Sequence, residues 1–196
     1  MLKNISLFAL IMVIAVGCAD PISVTESEAP AVQSERGRFM PPDGARFPDQ
    51  TIAAFVVDQV DQTGEFSVLL EAVSRAGLVD ALTTNKPLTV FAPTNDAFIK
   101  LLGDLGVGSL DELIDVIGID GLTDVLLYHI VSGRATAEVV LGSSSLTTLQ
   151  GGSLVPGLGD GGAFLTDENG RTSNILAVNF LPRNGVVHVI DTVVLP

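Results

Sequence analysis

His129 and His188 are the two histidines of the 196-residue chain. A pair of imidazoles is the raw material for a two-histidine metal site or a general base. The spacing asks for neither. The two lie far apart in sequence, the single cysteine is Cys18, and no acidic residue stands at a ligand spacing from either histidine. Both are expected to be structural, hydrogen-bonded groups, because buried polar atoms take partners. A hydrolase using His129 and His188 is the enzymatic alternative. Ser143-Ser144-Ser145 and Ser173 lack the G-x-S-x-G elbow that exposes a nucleophile. Gly151-Gly152 and the glycines of 157–162 are not followed by the Lys-Ser or Lys-Thr of a phosphate cradle. Between Lys100 and Arg134 come Asp104, Asp111, Glu112, Asp115, Asp120 and Asp124 with no basic residue. These lack the oxygen-rich loop with a fixed glycine of a calcium site and read as a solvated helical surface. Asp167-Glu168-Asn169-Gly170 reads as a hairpin turn. No catalytic residue, cofactor or metal site is expected.

The elements behind these residues follow from periodicity. Phe66, Leu69, Leu70 and Val73 share one helical face, and Gly77 follows where a helix can end in a left-handed residue. Ser109 and Glu112 make a capping-box pattern for a second helix with Leu110, Leu113, Ile114 and Ile117 on one face. Leu122 to Tyr128 form a third. Leu88 to Ala92 is β-prone; Pro93-Thr94-Asn95 then turn into a short helix through Ala97 to Leu102, with Asn95 and Asp96 offering oxygens to its first amides. Past Ile130, short apolar runs are broken by Gly151-Gly152, Gly161-Gly162, Asn169-Gly170 and Asn184-Gly185, each a turn signal. Asn184-Gly185 is expected to supply positive φ before a strand in which Val187 and Val189 alternate with His188 and Ile190. Helices in the first half and mainly antiparallel strands in the second give an α+β domain.

The first 50 residues are of another kind. Lys3 precedes an apolar run from Ile5 to Val16 and then Gly17-Cys18, the layout of a signal peptide over 1–17. The run is too short for a spanning helix, which needs about 20 residues. The stretch resembles a lipoprotein lipobox, which implies cleavage before Cys18 and lipidation of its sulfur. Ordinary cleavage with release to the medium is the alternative. Residues 18–50 hold the lipidated cysteine and a linker rich in Pro, Ser and Glu, with an r.m.s. span of about 30 Å. Phe39-Met40-Pro41-Pro42 and Phe47-Pro48 are more apolar than a spacer needs and are expected to dock on the domain.

The run Thr89 to Phe98, TVFAPTNDAF, the pair Tyr128-His129, and Ile175 to Pro196, ILAVNFLPRNGVVHVIDTVVLP, stand in that order. Together they resemble the fasciclin domain, over residues 51–196. The resemblance implies a β wedge with helices packed around it and a role in adhesion or in surface and matrix contacts. No catalytic residues come with it. Tyr128-His129 resembles a segment tied to integrin binding in animal members, and Asn174-Ile175 stands where some of those have Asp-Ile. Tyr128, His129, Asn174 and Ile175 are therefore the candidate interaction residues, with core packing and a tyrosine hydroxyl hydrogen bond as the competing account.

The expected function is a lipid-tethered module at the cell envelope of a bacterium, facing periplasm or exterior and binding a matrix, polysaccharide or protein partner. A structural envelope protein without an external ligand is the alternative. A net charge of −13 makes nucleic acid a poor partner.

Overall fold

The structure, a computed structural model, describes residues 45–196. The expected leader, Cys18 and residues 19–44 of the tether lie outside the described residues. Residues 45–50 lie inside them. There, Arg46–Phe47 forms β1 and pairs in parallel with Leu181 and Pro182. The described structure thus includes a strand that precedes Thr51. Phe47 docks as its apolar character suggests, its ring 4.9 Å from that of Phe55, which in turn stacks 5.5 Å from Phe180. Such ring pairs add about 0.5–1.5 kcal/mol beyond burial.

α1, Ile52–Thr63, buries Ile52, Phe55, Val56 and Gln59, the i, i+3, i+4, i+7 stripe of an amphipathic helix. Thr51 caps it through Oγ1, which accepts from the Ala54 N–H at 3.2 Å, and Gly64 ends it at φ 74°. The sequence reading had its first helix only at Phe66. α2, Ser67–Arg75, follows, with the Phe66 backbone left-handed at φ 63° and its ring buried. Its end is a Schellman motif. Gly77, at φ 66°, donates to Ser74 O, and the Leu78 N–H donates to Val73 O. α3, Val79–Thr83, leads to β2, Leu88–Pro93.

α4, Asn95–Leu105, is capped by Thr94 Oγ1, which accepts from the Ala97 N–H at 3.3 Å. Asn95 does something other than expected. Its Oδ1 accepts from the Val68 N–H at 3.2 Å and its Nδ2 donates to Gly64 O, so it caps α2 from across the fold. In α5, Leu110–Tyr128, Ser109 Oγ accepts from the Glu112 N–H, while the Glu112 carboxylate reaches back to Gly108 N–H at 2.7 Å. Gly118, at φ 75° and ψ 168°, breaks α5 in two, which accounts for the separate helices expected from Ser109 and over Leu122 to Tyr128.

The later elements are β3 (Ile130–Ser132), α6 (Ala137–Gly142), β4 (Leu146–Thr147), β5 (Ser153–Gly159), β6 (Gly162–Thr166), β7 (Thr172–Pro182) and β8 (Gly185–Ile190). The sheet order is β3-β2-β8-β7-β6-β5-β4. All neighbours on this path are antiparallel except β2 and β8, which run parallel from Leu88↔Gly185 to Pro93↔Ile190. The domain is therefore α+β with a mixed sheet.

β2 and β8 are buried at every position. Alternation sorts their side chains between two cores. Leu88, Val90, Ala92, Val187 and Val189 join the helices, with Phe55, Phe98 and Leu126. Phe91 and Ile190 join Tyr128, Leu154, Leu165 and Val194 on the other face.

The Asn184-Gly185 turn works differently from the sequence expectation. Neither residue has positive φ. Gly185 is required by close approach, since a Cβ there would lie 2.1 Å from Leu88 O. The buried Asn184 side chain accepts from Ile52 N–H at 2.8 Å and donates to Leu82 O and Thr84 O at 2.9 and 2.8 Å. It ties the start of α1 and the end of α3 to the entry of β8.

Candidate functional site

Tyr128 ends α5 and His129 follows as its C-cap, so neither side chain is free to turn outward. Tyr128 is 0% and His129 2% exposed. The Tyr128 hydroxyl donates to Ser153 O at 2.7 Å and accepts from the Glu168 N–H at 3.2 Å. Burial pushes its pKa up. The partners of His129 define its tautomer: Nδ1–H donates to Val125 O at 2.7 Å, and Nε2 accepts from the Val194 N–H at 3.3 Å. Burial pushes its pKa down to about 4, leaving a neutral ring.

His188 is the mirror case. Its Nε2–H donates to Ala135 O at 2.9 Å, Nδ1 accepts from Asn179 N–H at 3.4 Å, and the ring stacks 5.5 Å from Phe91. Burial lowers its pKa as well. A small apolar cavity of about 50 Å³ beneath α1, α2 and α3 reaches His129, but His188 does not line it. The four imidazole nitrogens thus all engage backbone groups, which is the structural, hydrogen-bonded role expected of the pair. Among the described residues no group of three or more His, Cys, Asp or Glu could hold a metal ion.

Three of the six acids in the run have partners of their own. Asp104 pairs with Arg171 at 3.0 Å, Asp111 with Arg75, and Glu112 caps α5. Asp167-Glu168-Asn169-Gly170 is the β6–β7 turn. Asp167 is buried and accepts from the backbone N–H groups of Asn169, Arg171 and Leu195.

Asn174 and Ile175 sit on β7 and point to opposite faces. Ile175 is half-buried against the core that holds Tyr128. Asn174 is exposed. Its backbone N–H and its Nδ2 each donate to the Asp191 carboxylate at 2.9 Å. Burial pushes the Asp191 pKa up, but the bonds from Asn174, that from Thr192 and the charge of Lys100 outweigh it and hold the acid below the usual range. The carboxylate absent at position 174 is thus present next to it.

Asn174 pairs across the sheet with Phe164, which pairs with Gly157. The Phe164 ring lies over Gly157, where a Cβ would come within 2.5 Å of it. Val155, 47% exposed, is two residues along the same face. This face of β5–β6–β7 was not read from the sequence. The only signal was a strand alternating small glycines, Gly157 and Gly159, opposite one aromatic residue in a hairpin. Of the four expected interaction residues, the fold leaves Asn174 open to solvent and sets Ile175, Tyr128 and His129 behind it.

A mixed sheet carrying helices, with the buried Tyr128, His129 and His188 all bound to backbone groups, defines a scaffold domain whose outer surfaces are left for contacts. A family model of the fasciclin domain matches residues 64–196, and the chain belongs to that family. Protein sll1483 of Synechocystis is 37% identical over 74% of this chain and 76% of its own length. Immunogenic protein MPB70 of Mycobacterium bovis is 33% identical over 67% of this chain and 64% of its own. Human periostin is 28% identical over 74% of this chain, which spans 16% of periostin. A FAS1 domain pair from the insect cell adhesion molecule Fasciclin I superposes with a TM-score of 0.61 at 18% identity, covering 76% of this chain and 52% of that one. Fasciclin domains thus occur in adhesion proteins. Among the described residues no helix is long and apolar enough to cross a membrane.

Proposed function

We propose that the chain is an exported interaction module, held at a membrane by lipid on Cys18, that makes adhesive contacts through the solvent-facing side of β5–β6–β7. The supporting observation is the surface itself: exposed Asn174 pairs with Phe164, Phe164 with Gly157, and half-exposed Val155 lies two residues along on the same sheet face. Apolar groups beside a fixed polar group are what contact surfaces use. The adhesion role comes from the family, through the insect cell adhesion molecule that shares the fold. The partner is a protein or polysaccharide of the surface or matrix. The lipid reading rests on the lipobox-like run ending at Cys18. With two or more acyl chains such an anchor is stable, because each buried methylene adds about 0.8 kcal/mol.

The test has two arms. Intact mass and membrane fractionation of the native protein and Cys18→Ala come first; added acyl mass on a chain starting at Cys18, lost with the variant, is the expected result. Attachment of cells bearing native protein, Val155→Asp or Phe164→Ser to a surface or to one another comes second. Attachment should fall severalfold in both variants at unchanged protein level. An unmodified chain in the medium would overturn the anchor, and unchanged attachment would overturn the proposed face.

A further inference from the structure

We propose that Arg46, Arg134 and Arg183 form a binding pocket for a phosphate-type oxyanion. The three side chains line one open cavity of about 340 Å³ with Pro48, Leu181 and Pro182. It sits where β1 meets the end of β7, because Arg46 pairs with Leu181 and the Leu181 N–H donates to Ala45 O at 2.8 Å.

The charge balance makes the clustering informative. The chain has 10 basic and 23 acidic residues, so a cavity lined by three arginines and no acid runs against its overall composition. Other arginines of the domain follow the opposite pattern: Arg75 pairs with Glu71 and Asp111, and Arg171 with Asp104. Among the described residues, Arg46, Arg134 and Arg183 form no ion pair. Arg134 is fixed in place, since its Nη2 donates to Pro182 O at 3.2 Å and to Arg183 O. Its Nη1 and Nε are left for a ligand.

Guanidinium groups present planar forks of N–H donors that match phosphate and carboxylate oxygens. One carboxylate satisfies one fork. Three forks around one cavity fit an anion with more than two oxygens and more than one negative charge. The acidic field of the rest of the molecule disfavours a long polyanion, while at physiological salt it is screened within about 8 Å and leaves a compact group free to enter. A soluble phosphate monoester or the monoester headgroup of phosphatidic acid carries that chemistry.

The test uses the full exported chain with Cys18→Ala, so that no anchor contributes and the outcome is independent of lipidation. Inorganic phosphate is titrated while the Arg Nε–H resonances are followed by NMR, and vesicles of phosphatidylcholine with or without phosphatidic acid are tested by co-sedimentation. Saturable shifts at Arg46, Arg134 and Arg183 but not Arg75 are expected. Affinity should drop by more than about tenfold in Arg46→Gln/Arg183→Gln. Both of these side chains are exposed and make no hydrogen bond among the described residues, so the double variant keeps its fold, which circular dichroism checks. Selective sedimentation with the vesicles that contain phosphatidic acid assigns the pocket to a lipid headgroup; phosphate binding without it assigns a soluble phosphate ester. Absence of saturable shifts, or equal affinity in the double variant, overturns the pocket.

Discussion

The Nε2 atom of His129 accepts the backbone N–H of Val194 at 3.3 Å, joining the end of α5 to the closing segment of the chain. The bond exists only while the ring is neutral, because a protonated imidazole has no acceptor.

Acid should therefore loosen the domain in a defined window. Burial holds His129 at about 4 when folded, against an ordinary value of 6.5. The unfolded chain then binds the proton first, so this stability is whole above about pH 6.5, declines as pH falls, and is gone near pH 4. The loss is about 3 kcal/mol from His129, and His188, shifted the same way, adds to it. Urea unfolding at pH 8, 6 and 5 measures the slope, and His129→Phe should flatten it while lowering stability at pH 8 by about 2 kcal/mol. A slope equal to that of the native protein would show that His129 does not carry the effect.

Tyr128→Phe separates scaffold from surface. The hydroxyl bridges Ser153 O and the Glu168 N–H. Its removal should cost about 1–2 kcal/mol in chemical denaturation and leave attachment by the folded protein unchanged. Reduced attachment at full folding would instead give Tyr128 a direct role in contact.

Two glycines should respond very differently to alanine. Gly185→Ala drives a Cβ into Leu88 O and Ile52, both on fixed elements, and should cost more than about 3 kcal/mol or prevent folding. Gly64→Ala meets open space but keeps φ 74°, and should cost about 1 kcal/mol. Thermal melts of the two variants give the comparison, and equal losses would discredit the close-contact account.

The asparagines that cap from a distance make a third series. Asn95 serves α2, and Asn179 Oδ1 accepts from the Ala137 N–H of α6 at 2.8 Å. Each Asn→Ala should cost about 1 kcal/mol. Asn184→Ala, which strands one buried donor, one buried acceptor and one part-buried acceptor, should cost about 3 kcal/mol. Denaturant midpoints rank the three; a loss at Asn184 no larger than at Asn95 would contradict the ranking.

Those asparagines also mark how far the sequence could be read. Local signals carried through: the α2 stripe and its Gly77 end, the Ser109 cap, the β2 strand and the turns at Gly151-Gly152, Gly161-Gly162 and Asn169-Gly170 depend on neighbours within a few residues, whereas the Asn184-Gly185 turn is set by distant Ile52, Leu82, Thr84 and Leu88. α1 was harder to see because buried Gln59 and half-exposed Val57 blur its stripe. Nothing near Asn95 in sequence tells that its amide reaches Val68 and Gly64 rather than its own helix. The same limit hid the arginine cavity, whose members come from β1, the stretch after β3 and the β7–β8 turn. At the proposed contact face the sequence named Asn174. Its aromatic neighbour Phe164 emerged only with the strand register.

The parallel pairing of β2 with β8 has a consequence for biogenesis. β2 is buried at every position, yet its parallel partner follows far later in the chain, as does Asn184, 102 residues from the Leu82 carbonyl that it binds. A ribosome-bound chain holds β2 without the strand that completes it. Closing so long a loop is slow compared with forming helices, so folding is deferred until β8 has emerged. One edge of the apolar β2 therefore stays without its strand until nearly all of the described domain has been made.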